Sequence, residues 1–339
     1  MTTRERFRAV MNFQPFDRLP EIEWAVWWNK TLERWVSEGL PRELTGRYDL
    51  YRHFGLDVYY QDWIKTTAPG CPEPPSHGAP IVRSLEEYEG IKPFLYPLDP
   101  AVDAGKWKAW AREQEEGRAV IWITFDGFFW FARHLLGIER HLFAFYDQPE
   151  LLHRINSDLA DWMLKVLDEV CAHAVPDFMT FGEDMSYNRG PMVSKELFDE
   201  FMKPYYGRIL PRLKELGILA IIDSDGDVTV PASWFEEAGL EGILPLERQA
   251  GADIDRLRLE HPRMRFIGHF DKMTMTRGEE AMRAEFERLL PVASRGGFIP
   301  SVDHQTPPGV SLEQYRVYLR LLGEYAGKAA SPRVLDEIL

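Results

Sequence analysis

The sequence predicts an α/β fold, a single TIM-type (β/α)8 barrel with helical additions at its N-terminus, and three observations predict it. First, the last third of the chain holds four short apolar runs, Ile218–Asp225, Glu241–Glu247, Arg265–Asp271 and Gly297–His304, each ending on acidic residues or a histidine. Helix-compatible stretches separate them, which is the pattern of a parallel sheet covered by helices. Second, four similar runs lie upstream, Leu19–Trp24, Asp57–Trp63, Ala119–Asp126 and Phe178–Met185. Four and four give the eight strands of a closed barrel, whose active site is built at the strand C-termini. Third, the competing architecture, an open doubly wound sheet, would carry a Gly-rich phosphate turn, and neither G-x-G-x-x-G nor G-x-x-x-x-G-K-[ST] occurs.

Length and charge bound the rest. A chain of 339 residues is long for one domain, but barrels with insertions reach that length, so 1–339 reads as one domain, with 1–18 a helical extension and 330–339 a tail. The net charge of −14 is spread along the chain, which argues against nucleic acid or an anionic membrane as a partner. The segment MTTRERFRAVMNF places charges where a secretion signal has its apolar region, and no long uncharged apolar stretch occurs, so a cytoplasmic protein is expected. Cys71 and Cys171 stand far apart outside any C-x-x-C, which excludes a disulfide framework and a thiolate metal knot; Cys171 reads as a core residue of a helix.

In chain order, Thr3–Asn12 reads as an amphipathic helix capped by Thr2 or Thr3. Trp24, Trp27, Trp28 and Trp35 follow. Trp35 reads as a staple holding the N-terminal helices; Trp24 and Trp27 are candidates for lining an apolar ligand pocket. Thr66–Pro80, rich in Pro and Gly, is a loop past a strand end and so a lid candidate. Asp126-Gly127 ends the next strand, and an aromatic helix–turn–helix follows it. The helix Leu152–Ala174 leads to a strand that exits through Glu183-Asp184, candidates for general acid or base, and then Tyr187. Ser194–Leu216 reads as a serine-capped helix kinked or split by Pro204 and Pro211, and a closing helix covers Ser311–Tyr325.

Five blocks in order, RERFRAVMNFQPFDRLP, KELFDEFMKPYYGRI, AGLEGILPLE, GHFDK and GGFIPSVDHQTPPGVSLEQYRVYL, resemble the uroporphyrinogen decarboxylase superfamily over almost the whole chain. The resemblance implies a β/α barrel, a tendency to dimerise, and one of two chemistries: cofactor-free decarboxylation of uroporphyrinogen, or zinc-dependent methyl transfer from a corrinoid to a thiol or similar acceptor. The decarboxylases' P-x-W-x-M-R-Q-A-G-R stretch, whose arginines bind substrate carboxylates, is replaced by PEIEWAVWWNKTLERW, removing the paired donors that such a substrate needs. Asp62 resembles the decarboxylase's catalytic aspartate and His304 the histidine of its C-terminal turn. In the methyltransferases zinc is held by an H-x-C pair after the fifth strand and a cysteine after the last; those positions read Asp223-Ser224-Asp225 and Asp303-His304 here.

The expectation is therefore a methyltransferase with a divalent metal held by Asp223, Asp225 and His304, a harder donor set that takes Zn first and Mn or Fe as alternatives. Glu247 and His269 end the intervening strands and complete or brace that shell, and with Trp24, Trp27, Asp126 and Tyr187 form the candidate substrate-binding set. A buried ion pair with Arg248 is the bland reading of Glu247, and a satisfied core histidine that of His269. Asp271-Lys272 reads as a turn ion pair. The catalytic set is Asp62, Glu183, Asp184 and His304. The chain lacks a D-x-H-x-x-G corrinoid motif, so a corrinoid arrives on a partner protein; the other partners expected are a small-molecule substrate and a second copy in a homodimer. A decarboxylase of a smaller carboxylated substrate and a non-catalytic ligand-binding barrel are the alternatives.

Overall fold

The computed structural model describes residues 1–44, 46–98 and 102–330. Most of the tail read at 330–339 lies outside them. The strands are β1 (Val58–Trp63), β2 (Ala119–Asp126), β3 (Phe178–Gly182), β4 (Ser186–Tyr187), β5 (Gly190–Pro191), β6 (Leu219–Ser224), β7 (Gly242–Pro245), β8 (Arg265–Phe270) and β9 (Phe298–Val302). Seven of them form one parallel sheet in the order β1-β2-β3-β6-β7-β8-β9, and β4 and β5 make a separate antiparallel pair. Seven of the eight expected strands are therefore present. The exception is Leu19–Trp24, which makes no strand ladder. Contacts divide the chain into two compact units, Met1–Tyr60 with Glu113–Val120 and Ile243–Leu339, and Gln61–Arg112 with Ile121–Gly242.

In the first unit the opening helix Thr3–Met11 starts on a capping box: Thr2 Oγ1 accepts from Glu5 N, and Glu5 accepts from Thr2 N. Arg6 holds Asp17 through two 2.8 Å bonds, and Arg18 holds Asp57 at 2.8 and 2.9 Å. These pairs fix the segment that follows. Asp57 N donates to Glu21 O at 2.8 Å, while Ser301 Oγ donates to Ile22 O at 2.8 Å and Trp24 Nε1 to Val302 O. Leu19–Trp24 thus lies between β9 and Asp57, where an eighth strand would run, but side chains supply most of its bonds. That is why alternation in the sequence located the segment while the ladder did not form. β8 and β9 pair in parallel from Phe266↔Phe298 to Phe270↔Val302. Trp27 is buried among Trp35, Tyr51, Phe54 and Tyr315, and Trp35 Nε1 donates to Val310 O at 2.9 Å. Both tryptophans staple the N-terminal helices, so Trp27 is closed off from a ligand.

In the second unit β2, β3 and β6 pair in parallel, with Asp126 level with Gly182 and Gly182 level with Asp223. Their facing polar atoms are satisfied inside the sheet: Trp122 Nε1 donates to Thr180 Oγ1, and the Thr124 and Thr180 hydroxyls bond at 2.8 Å. Helices Phe128–Leu136 and Ile138–Asp147 follow β2, and Pro149–His173 precedes β3. The expected split of the serine-capped segment occurs at Met202, between helices Lys195–Phe201 and Lys203–Leu216, where Pro204 opens the second helix and Pro211 lies within it. Cys171 is half-buried rather than core, and burial pushes its thiol up to about 11. The loop Thr66–Pro80 is pinned at both ends, by Tyr96 N to Thr66 O at 2.8 Å and by Ile138 N to Gly78 O at 3.0 Å. No described helix is long and apolar enough to cross a membrane.

Candidate functional site

The strand ends of the first unit carry Glu247, His269, Asp303 and His304. A carboxylate oxygen of Glu247 and a ring nitrogen of His304 lie within 4.8 Å of each other, and both residues are half-buried. The Trp24 indole stands edge-on to the His304 ring, with centroids 6.1 Å apart. Two donors of a kind that bind divalent metals, partly open to solvent, make this pair the chemically competent part of the unit.

His269 is elsewhere engaged. It is fully buried, with φ of +66°, and its Nδ1 lies 2.8 Å from Leu246 O. A carbonyl only accepts, so Nδ1 carries the proton. Nε2 then accepts from Arg288 Nη1 at 3.4 Å, and Arg288 is itself paired with Glu285 at 2.6 Å. Burial lowers the His269 pKa to about 4, opposed by the Leu246 bond and reinforced by Arg288. The ring is a neutral strut and not a ligand or a proton carrier near neutral pH. The expected Asp271-Lys272 turn pair is also replaced: Lys272 Nζ pairs with Asp303 at 3.0 Å and Asp271 with Arg277 at 2.8 Å.

Glu23, which sequence reasoning left out of the site, is fully buried. Burial raises its carboxyl to about 8, and the Tyr318 and Tyr315 hydroxyls and the Arg47 charge only partly oppose that. Its signal in the sequence was its place as the acidic residue near the end of the run Leu19–Trp24.

In the second unit the acids separate into different roles. Glu183, expected at the mouth as an acid or base, is fully buried; its oxygens accept from Phe128 N at 2.8 Å, Phe129 N at 2.7 Å, Trp130 N at 3.3 Å and the Tyr206 hydroxyl. It caps the helix Phe128–Leu136, whose first amides have no partner of their own. Burial still lifts its pKa to about 7 against those bonds. Asp126 accepts from Trp63 Nε1 at 3.1 Å and Thr66 Oγ1 at 2.8 Å, tying β2 to the start of the Thr66–Pro80 loop. Asp62 accepts from Lys106 Nζ and Trp107 Nε1, both at 2.7 Å, so its carboxylate is anchored on both oxygens.

Asp184, Asp223 and Asp225 share one neighbourhood. Asp184, at φ +40°, accepts from Asp225 N at 3.1 Å. Burial, with the charges of Asp184 and Asp225, holds the Asp223 carboxyl well above the usual carboxylate range. Tyr187 is exposed in the β4–β5 pair, and its carbonyl accepts from Asp227 N at 2.8 Å.

Comparison with known proteins adds the following. The profile of the uroporphyrinogen decarboxylase (URO-D) family matches residues 81–325. No curated protein matches the chain. Among solved structures, a methyltransferase from Methanosarcina mazei superposes with a TM-score of 0.69 at 16% identity, covering 96% of this chain and 99% of the other. That likeness shows a shared fold. A putative vitamin-B12-independent methionine synthase from Listeria monocytogenes gives 0.46 at 11% identity over 93% and 98% of the two chains. A B12-independent methionine synthase from Shewanella sp. W3-18-1 gives 0.40 at 13% over 67% and 66%. Both lie too far away to bear on function.

Proposed function

The chain belongs to the uroporphyrinogen decarboxylase family, and from that premise we propose that it is a metal-dependent methyltransferase moving a methyl group between a corrinoid protein and a small molecule. The observation that carries this reading is the Glu247–His304 pair. Of the two chemistries the family resemblance implies, only methyl transfer calls for a metal, and here a carboxylate oxygen and an imidazole nitrogen lie within 4.8 Å of each other at two strand ends. Metal–ligand bonds of about 2.0–2.2 Å let donors at that spacing meet one ion after small side-chain rotations, so the residues fit the group. Oxygen and nitrogen donors without sulfur suit Zn, Mn or Fe. The full-length likeness to a methyltransferase supports the same branch.

A divalent metal in this place supplies a Lewis acid that lowers the pKa of a bound acceptor. The protein's own groups do the rest. Glu247 and His304 would hold the metal and so place the acceptor's reacting atom, and the Trp24 indole stands edge-on to the His304 ring. Asp62 is held by Lys106 and Trp107, which leaves the decarboxylase alternative without a free carboxylate at that position. One family profile runs through both contact units, in keeping with a single functional domain. The corrinoid is brought by a partner protein, and the enzyme works as a cytoplasmic homodimer.

The test is metal content by mass spectrometry together with methyl transfer from methylcobalamin to a thiol. Near one equivalent of metal is expected in the native protein, lost in Glu247→Gln and His304→Ala, with methyl transfer falling by about 10²-fold or more when a ligand is removed. Metal-free protein that releases carbon dioxide from a carboxylated porphyrinogen would overturn the reading.

A further inference from the structure

We propose that Asp303 is the positioning residue of this site, a buried carboxylate that clamps the loops after β7 and β8 and so sets Glu247 against His304. The inference rests on the metal reading for its purpose but on bonds within the first unit for its geometry. Asp303 is fully buried at the end of β9. Its Oδ2 accepts from Arg248 N at 3.1 Å, and its Oδ1 accepts from Lys272 N at 3.3 Å and Lys272 Nζ at 3.0 Å. One carboxylate therefore ties two chain segments to the end of β9, whose own backbone continues the sheet through Asp303 N to Phe270 O at 2.9 Å.

Glu247 sits between two clamped neighbours. The carbonyl of Leu246, before it, accepts from His269 Nδ1, and the amide of Arg248, after it, donates to Asp303. With both flanking peptide groups held by buried side chains, the Glu247 backbone has little freedom and its carboxylate is aimed rather than left to search. His304 follows Asp303 directly, so the same side chain anchors the other member of the pair. Lys272 is the counter-charge. Its side chain is 14% exposed and that of Asp303 is not exposed at all, so removing the lysine strands a buried carboxylate. Lys272 Nζ also donates to Gln249 Oε1 at 3.1 Å, and Gln249 Nε2 to Asp271 Oδ1 at 2.6 Å, which ties the two loops at their rim.

Asp303→Asn tests the clamp. It retains one acceptor oxygen but loses the charge and turns an amide toward a donor. Two readouts are needed on the purified full-length chain: Zn²⁺ affinity by titration, and amide exchange by mass spectrometry in metal-free protein. The expected result is unchanged global folding, faster exchange confined to 246–251 and 271–277, and Zn²⁺ affinity lower by about 10–100-fold. Faster exchange with wild-type Zn²⁺ affinity, or no local change in exchange, overturns the positioning role. If Asp303→Asn does not fold, Lys272→Met and Gln249→Ala weaken the same clamp from its outer side, and the same two readouts apply. Failure of wild-type protein to bind Zn²⁺, Mn²⁺ or Fe²⁺ sinks the metal reading instead, and the exchange data still decide whether Asp303 holds the loops.

Discussion

At the scale of single residues, two buried groups place opposite pH dependences on stability. Glu23 has its folded pKa raised from 4.5 to about 8, so its contribution is full below pH 4.5 and is lost as pH rises through 8. The stability of Glu23→Gln relative to the native protein is therefore expected to improve from pH 4.5 to 8, by an amount on the order of a few kcal/mol. Urea unfolding at several pH values reads this directly, and a flat difference would mean that Glu23 is ionised in the folded state. His269 runs the other way. Its folded pKa is lowered from 6.5 to about 4, so its contribution is present above pH 6.5 and is lost as pH falls toward 4. In His269→Gln the loss of stability over that window is expected to shrink, while the variant is less stable at pH 7 because the Leu246 carbonyl and Arg288 lose an imidazole partner.

At the scale of elements, the helix Phe128–Leu136 depends on a carboxylate from another strand end. Glu183→Ala removes the acceptor for two buried amides and one part-buried amide and is expected to cost about 3–5 kcal/mol, whereas Glu183→Gln, which keeps an oxygen, costs less. Equal losses in chemical denaturation would refute the capping role. The junction of β7 and β8 shows a second dependence. Gly268 has φ of +112°, and a Cβ there would stand 2.1 Å from Pro245 O. Gly251 has φ of +103° but open space around its Cβ position. Alanine at Gly251 bears only the left-handed backbone cost of about 1–2 kcal/mol; at Gly268 it must also push the β7 end away. Gly268→Ala is therefore expected to melt well below Gly251→Ala in a thermal scan, and the reverse order would mean that the strand ends are loosely held.

At the scale of the whole molecule, the one-domain reading has a direct test, because the contact division cuts through β1, β2 and β7 rather than between elements. A chain whose strands are shared in this way should unfold in one transition. Far-ultraviolet circular dichroism and tryptophan fluorescence are expected to give coincident urea curves, and two separated transitions would divide the protein into independent domains. Light scattering tests the homodimer against the 39.4 kDa chain mass.

The sequence by itself determined the strands and the family. Seven of its eight apolar runs became strands within a few residues of their expected ends, because the hydrophobic pattern of a buried parallel strand is local and needs no partner to be read. The same pattern located Asp225, Glu247 and His304 one or two residues past β6, β7 and β9. Only the tertiary structure decided what each polar residue does. Glu183 and Asp184 are adjacent in the chain, yet one caps a helix and the other binds the Asp225 amide. Asp303 and His304 are adjacent too, and one is a buried clamp while the other is only half-buried. Which side chain is spent on backbone donors depends on long-range hydrogen bonds and on burial, and neither has a periodic signature in the sequence.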